Sequence, residues 1–299
     1  MLAKHIVDFV AYLREVKQYS KHTTTSYHTD LEQFRTYLVL FEIDDVQIVS
    51  HVHIRSWVVA LMESNISAKS VNRKISSLRT FFSYLKRQEI VLKNPMQKVS
   101  APKIPKRLPK YVDQQKISQI LDDPILEKSH AILREHLVIS LFYHTGIRRS
   151  ELIGLKLEDV DLTQKQIKVL GKGNKERLIP LNKQIVEELS EYIEVRNRTF
   201  GTMETSLILT DKGKAAYPKL IYNIVSKVLK KYNASDKTSP HVLRHTFATH
   251  LTANGAELNA IKELLGHSSL AATQIYTHNS IERLKEVYDK SHPKSKKSQ

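Results

Sequence analysis

Cysteine is absent from all 299 residues, which excludes disulfide frameworks, thiol nucleophiles and thiolate-bound zinc. No uncharged apolar run approaches the ~18 residues a membrane span needs. The opening Met-Leu-Ala-Lys-His-Ile-Val-Asp carries Lys4, His5 and Asp8 where a secretory leader needs an unbroken apolar core. The chain therefore reads as cytoplasmic, with no membrane partner. There is no Walker sequence, Gly-x-x-x-x-Gly-Lys-Ser/Thr, and no internal repeat. Acidic residues are scarce: 31 Asp and Glu stand against 47 Lys and Arg, a net charge of +16 and a pI of about 9.7. Such an excess favours polyanions as partners. The rest is an ordinary globular mix, 41% hydrophobic and 26% charged. Its length suits about two domains and burial of roughly three quarters of the extended surface.

The first third is helical by period. Leu2, Ile6, Phe9, Val10 and Leu13 recur at steps of three and four, as do Tyr27, Leu31, Phe34 and Leu38 after the polar run Ser-Lys-His-Thr-Thr-Thr. A third stripe is Ile54, Trp57, Val58 and Leu61. The clearest is Val71, Ile75, Leu78, Phe82 and Leu85, with Ser67 at the N-cap position. The other faces of that fourth helix carry Lys69, Arg73, Lys74, Ser76 and Arg79. They read equally as a solvated surface or as a phosphate-contacting one.

Residues 94–110 interrupt the pattern with Pro95, Pro102, Pro105 and Pro109 among Lys98, Lys103, Lys106, Arg107 and Lys110. They read as a basic linker. Beyond it, helical periods surround a predicted β-hairpin, with Gln166–Leu170 and Glu176–Leu181 as strands around Gly-Lys-Gly-Asn-Lys. The residues from His292 onward are Lys/Ser-rich and are expected to be a disordered tail. The fold class is mainly α with a small β-hairpin or sheet.

Three clusters carry chemistry. Arg148 lies in His-Thr-Gly-Ile-Arg-Arg-Ser-Glu-Leu, where Gly146 ends one helix and Ser150-Glu151-Leu152 opens or continues the next. An arginine at such a junction can present its fork to a phosphate, but taken alone it reads first as a surface ion pair with Glu151 or Glu158. In Ser239-Pro240-His241-Val242-Leu243-Arg244-His245, Ser239 and Pro240 suit a helix start, and His241, Arg244 and His245 share one side. His241 and His245 also have zinc-ligand spacing, but the intervening Glu of the metalloprotease motif is missing and there is no cysteine. No metal is therefore assigned. The third cluster is Leu-Leu-Gly-His267 followed by Gln-Ile-Tyr276-Thr-His. Two arginines, two histidines, a turn lysine and a tyrosine, without a carboxylate pair, suit a phosphodiester attacked by a phenol.

On these residues the sequence resembles the tyrosine recombinases, most closely the Xer-like site-specific recombinases of bacteria, along nearly the whole chain. The family's first arginine motif matches Thr145 to Leu152, its hairpin lysine matches Lys172, and His-x-x-Arg matches His241 and Arg244. Leu-Leu-Gly-His places the second histidine at His267, and the nucleophile matches Tyr276. Arg149 and Lys262 depart from common family residues without touching the chemistry.

The resemblance implies an N-terminal helical core-binding, SAM-like domain (1–93), the basic linker (94–110), a mixed α/β catalytic domain (111–290) and a basic tail (291–299). It implies cleavage and rejoining of duplex DNA through a 3′-phosphotyrosyl intermediate, with no cofactor and with Glu151 orienting its neighbours. DNA contacts are expected from Lys69, Arg73, Lys74, Ser76, Arg79, Arg107 and Arg149. Four protomers, of one recombinase or of two, would clamp two recombination sites, with a DNA translocase as a possible further partner. The stripe Ile281, Leu284, Val287 and Tyr288 would dock on a neighbouring protomer or on its own domain. Besides chromosome or plasmid dimer resolution, the alternatives are an integrase or invertase of a mobile or phase-variable element, a type IB topoisomerase, against which the whole-chain pattern argues, and a non-catalytic DNA-binding protein on the same fold, which would have no need of Tyr276.

Overall fold

The computed structural model describes residues 2–104, 110–171, 176–266, 286–288 and 290–294. The chain divides into two compact units, Met1–Arg107 and Leu108–Gln299, and each has its own apolar core.

The first unit contains α1 (Leu2–Glu15), α2 (Lys21–Val39), α3 (His51–Glu63) and α4 (Ala68–Arg87). Their sequence stripes are the core. Leu2, Ile6, Phe9, Leu13, Leu31, Phe34, Leu38, Ile54 and Trp57 are buried, as are all five stripe residues of α4. Val10, Tyr27, Val58 and Leu61 pack at its margin. The Ser67 hydroxyl accepts the Ser70 backbone N–H at 3.3 Å and caps α4. The polar run after Tyr19 caps and opens α2. There Ser20 accepts the Thr23 N–H at 3.3 Å, satisfying a donor that has no partner inside the helix.

The stretch expected to be linker also begins later than its prolines suggest. Pro95–Lys98 form a 3₁₀ turn capped by Asn94, whose side chain accepts the Met96 N–H at 2.9 Å. Met96 and Val99 are buried in the first core. Asn72 donates to the Pro102 carbonyl at 3.0 Å. Proline here sets the first position of a short helix, where its missing N–H costs nothing.

The second unit runs α5 (Gln114–Leu121), α6 (His130–Thr145), α7 (Arg149–Gly154), β1 (Val160–Asp161), β2 (Gln166–Leu170), β3 (Glu176–Pro180), α8 (Lys183–Phe200), α9 (Pro218–Lys231), α10 (Pro240–Ala253) and α11 (Leu258–Leu265). The sheet is antiparallel in the order β1-β2-β3, with Ile167 opposite Ile179 and Val169 opposite Arg177. Two-residue β1 is too short for an alternating pattern to announce it. Helix α6 is buried nearly all round, from Leu133 to Thr145, and packs on α8, α9 and α10. A helix without a polar face belongs in a core, so the residues after its end emerge at the core's edge.

The expectation of a disordered tail from His292 is corrected for residues 292–294, while 295–299 lie outside the described residues. Tyr288 and His292 are each 1% exposed and Lys294 8%. The His292 ring stacks on Tyr288 at 4.8 Å and lies 4.8 Å from the His144 ring, while its Nε2 lies 3.3 Å from the Tyr143 carbonyl. Lys294 reaches Asp122, and Asn254 donates to the Ser291 carbonyl at 2.8 Å. Lysine and histidine bury their apolar parts while their polar ends find partners, which composition alone does not reveal. Val287 and Tyr288 pack on this same domain; Ile281 and Leu284 lie outside the described residues. Among the described residues no helix is long and apolar enough to cross a membrane.

Candidate active site

Helix α6 ends at Gly146, whose φ is 58° and whose N–H reaches the Phe142 carbonyl at 3.1 Å. A Cβ at this position would press into the Phe247 ring and approach Leu265 Cδ2 to 2.8 Å. Both the backbone angle and the space therefore require glycine. Ile147 is buried, and Arg148 follows as the N-cap of α7. In the first turn of α7, Glu151 accepts the Arg148 backbone N–H at 2.8 Å and its Nη1 at 2.6 Å. The Arg148 side chain remains 31% exposed, whereas that of Glu151 is 3% exposed.

Glu151 has a second cationic partner. Arg177 of β3 donates from Nη1 and Nη2 to the two carboxylate oxygens, each at 2.9 Å. Its Nε donates to the Leu264 carbonyl at 3.0 Å. Arg244 of α10 donates to the Gly146 carbonyl and, at 2.7 Å, to that of Leu265. Arg148 Nη2 donates to the Gly266 carbonyl at 2.7 Å. Three arginines from α7's start, β3 and α10 thus engage three successive carbonyls at the end of α11. Helix C-terminal carbonyls lack intrahelical donors and carry partial negative charge, which suits guanidinium partners.

Burial alone would raise the Glu151 carboxyl, but hydrogen bonds and charge from Arg177, together with Arg148, overcome it and hold its pKa at about 2. Burial, reinforced by the nearby Arg148 charge, lowers Arg244 to about 10, so it stays cationic at neutral pH. The site is a fixed carboxylate with guanidiniums around it, two of which, Arg148 and Arg244, are only partly buried. Such an arrangement can bind a phosphodiester and stabilise charge on its nonbridging oxygens.

His241 is exposed in the first turn of α10, one turn before Arg244. Ser239 stands at the N-cap without a side-chain capping bond. His250 is buried, with Nδ1 3.2 Å from the Tyr143 hydroxyl, which accounts for it by packing. Among the described residues no three His, Asp or Glu side chains are grouped to hold a metal ion. Lys172, His267, Tyr276 and Arg107 lie outside the described residues. On α4, Lys69, Arg73, Ser76 and Arg79 are exposed, but Lys74 is not. Its side chain is 7% exposed and its ammonium lies 3.0 Å from buried Asp30. It therefore neutralises a carboxylate inside the unit and is corrected from the set of surface phosphate contacts. Arg149 is partly exposed at the first position of α7.

Sequence reading missed Arg177, which it treated only as part of a strand. The signal was there: Arg177 and Ile179 alternate onto the same face of β3, and both are buried. A charged residue at an inward strand position needs a buried partner.

Two family models match this chain: the phage integrase family over residues 110–283 and the phage integrase N-terminal SAM-like domain over residues 6–89. The chain belongs to the tyrosine recombinases of the phage integrase family, enzymes of site-specific DNA cleavage and rejoining. It is 38% identical over 300 residues to tyrosine recombinase XerC of Thermodesulfovibrio yellowstonii, a match covering 99% of this chain and 98% of the relative. To tyrosine recombinase XerD of Staphylococcus saprophyticus it is 35% identical over 292 residues, covering 97% and 99%. The fold is similar to that of XerH site-specific recombinase bound to palindromic difH substrate in a post-cleavage complex. That match has a TM-score of 0.71 and 22% identity, and covers 95% of this chain and 83% of the other.

Proposed function

We propose that the phenol of Tyr276 attacks the scissile phosphorus of a duplex recombination site, giving a 3′-phosphotyrosyl link and a free 5′-hydroxyl. Arg148 and Arg244 bind the nonbridging oxygens and stabilise the charge that develops there. Lys172 protonates the departing 5′-oxygen and His241 assists proton transfer. His267 hydrogen-bonds the phosphate, and Glu151 orients Arg148. Because the phosphotyrosine conserves the bond, attack by a new 5′-hydroxyl rejoins the strand without ATP. The carrying observation is the convergence of Arg148 and Arg244 on the carbonyls of Gly146, Leu265 and Gly266, directly before residue 267. In that frame the guanidiniums supply the positive charge for which other phosphoryl-transfer enzymes use a metal.

The full-length similarity to XerC and XerD proteins supports a Xer-like role in resolving chromosome or plasmid dimers in the cytoplasm. There the enzyme works as a homotetramer, or as a heterotetramer with a second recombinase, under the control of a DNA translocase. DNA contacts come from Lys69, Arg73, Ser76, Arg79, Arg107 and Arg149.

The test uses a nicked duplex of the site recovered by sequencing covalent adducts from the protein's own genome. The wild type is expected to form an SDS-resistant adduct in EDTA, with the nucleotide remnant on Tyr276. Tyr276→Phe is expected to bind the site and form none. A remnant on another side chain, or an adduct with Tyr276→Phe, contradicts the mechanism.

A further inference from the structure

Arg177 has no place in the mechanism above, yet it is the most enclosed of the three arginines at the end of α11. Its side chain is 5% exposed, so it cannot be the group that meets DNA. Instead its three nitrogens join three separate parts of the site. Nη1 and Nη2 take both oxygens of Glu151, the carboxylate that holds Arg148. Nε takes the Leu264 carbonyl, one residue before the carbonyl that receives Arg244 and two before the one that receives Arg148. Its backbone belongs to β3, which begins four residues after Lys172 in the sequence. Gly266 packs on it so closely that an added Cβ would stand 3.0 Å from Nη1 and 3.2 Å from Cζ. Gly266 also has a φ of 62°, a backbone conformation that favours glycine.

We infer that Arg177 is a positioning residue for strand cleavage. It locks Glu151 in the orientation that aims Arg148, and it ties the hairpin to the segment that enters residue 267. The planar fork matters as well as the charge. A lysine would supply one point charge to Glu151 but could not bridge two carboxylate oxygens and a carbonyl at once. This inference rests on the recombinase mechanism proposed above.

The experiment compares wild type, Arg177→Lys and Arg177→Gln on the nicked site duplex, and on the same duplex with either methylphosphonate diastereomer at the scissile position. In the methylphosphonate a methyl group replaces one of the two nonbridging oxygens, so attack builds no charge at that position, and in one of the two diastereomers that position is the one Arg148 faces. Thermal melting and duplex affinity are measured alongside. Arg177→Lys is expected to keep a melting temperature close to that of wild type and to bind the duplex within about twofold of it. Its cleavage of the normal phosphodiester is expected to fall by roughly 10- to 100-fold, the scale of a small misplacement of a catalytic group. With one methylphosphonate diastereomer that deficit shrinks to about threefold or less as the oxyanion disappears. Arg177→Gln shows the same pattern with a larger deficit. An equal deficit on all three substrates, losses that track melting or affinity, or wild-type rates in both variants would overturn the inference and leave the mechanism standing. Failure of the wild type to form an adduct on residue 276 overturns both.

Discussion

Two buried carboxylates, one in each unit, hold basic side chains in similar ways with different results. Asp30 on α2 is fully enclosed and receives Arg73, Lys74 and Ser77, all from α4. Glu151 on α7 receives Arg148 and Arg177. In each case one cation is buried and the other is partly open: Lys74 beside Arg73, at 7% and 51%, and Arg177 beside Arg148, at 5% and 31%. Around Asp30 all the partners come from a single helix, so the carboxylate fastens α2 to α4 and Arg73 projects from a helix face. Around Glu151 the partners come from the start of α7 and from β3, and α11 and α10 close in through their own bonds. A buried acid staples elements together where its partners share one helix. It builds a site where they converge from several.

The largest expected effects break this comparison directly. Asp30→Ala strands the buried Lys74 and should cost about 3–5 kcal/mol, read in denaturant titration as a loss confined to the first unit's transition. Glu151→Gln should instead lower the cleavage rate of bound DNA by about 10²-fold, read in single-turnover assays. If both variants lose only stability, the two carboxylates do the same job. Gly146→Ala comes next. The positive φ and the contacts with Phe247 and Leu265 should cost about 1–3 kcal/mol, with a cleavage loss larger than the melting shift explains because Arg148 is two residues away.

How much of this was legible in the sequence follows from which interactions leave a periodic trace. The stripes of α1 to α4 did, because apolar spacing and burial are one phenomenon. Ser67 and Gly146 announced the start of α4 and the end of α6, since capping is local chemistry. The role of Met96 was hidden by the surrounding prolines. Lys74 left no trace as a buried cation, and the alternation of β3 marks Arg177 as inward without naming its partner. Their partners Asp30 and Glu151 are 44 and 26 residues away, and no spacing rule within an element reaches that far. His292 was lost in a basic tail for the same reason: its neighbours Tyr143 and His144 belong to α6.

Acid separates the Glu151 cluster from the carboxy-terminal segment packed in the same domain. Burial, despite a bond to the Tyr143 carbonyl, lowers His292 to about 3, and burial with the neighbouring His292 lowers His144. Lys294 and His250 also face this group and oppose its protonation. Because the unfolded histidines take up protons near pH 6.5 and the folded ones do not, the docked state is fully stable above 6.5 and weakens as pH falls towards 3. The slope is roughly 1.4 kcal/mol per pH unit for each histidine. Glu151, ionised down to about 2, should hold through most of that range. Hydrogen exchange at pH 5 should therefore rise in residues 286–294 before it rises in α7; simultaneous opening would show the two to be one cooperative unit. The smallest effect is that of Ser67→Ala, about 1 kcal/mol from loss of a helix cap. It should appear only in the first unit's denaturation and leave cleavage of bound DNA unchanged.

The most direct measurement is a crystal structure of the enzyme on a nicked duplex with orthovanadate in place of the scissile phosphate. Tyr276 Oη and the 5′-oxygen should occupy the apical positions, with vanadate oxygens about 3 Å from the guanidiniums of Arg148 and Arg244 and Glu151 still clasped by Arg177. A vanadate bound away from those two guanidiniums, or joined to any residue other than Tyr276, would contradict the account.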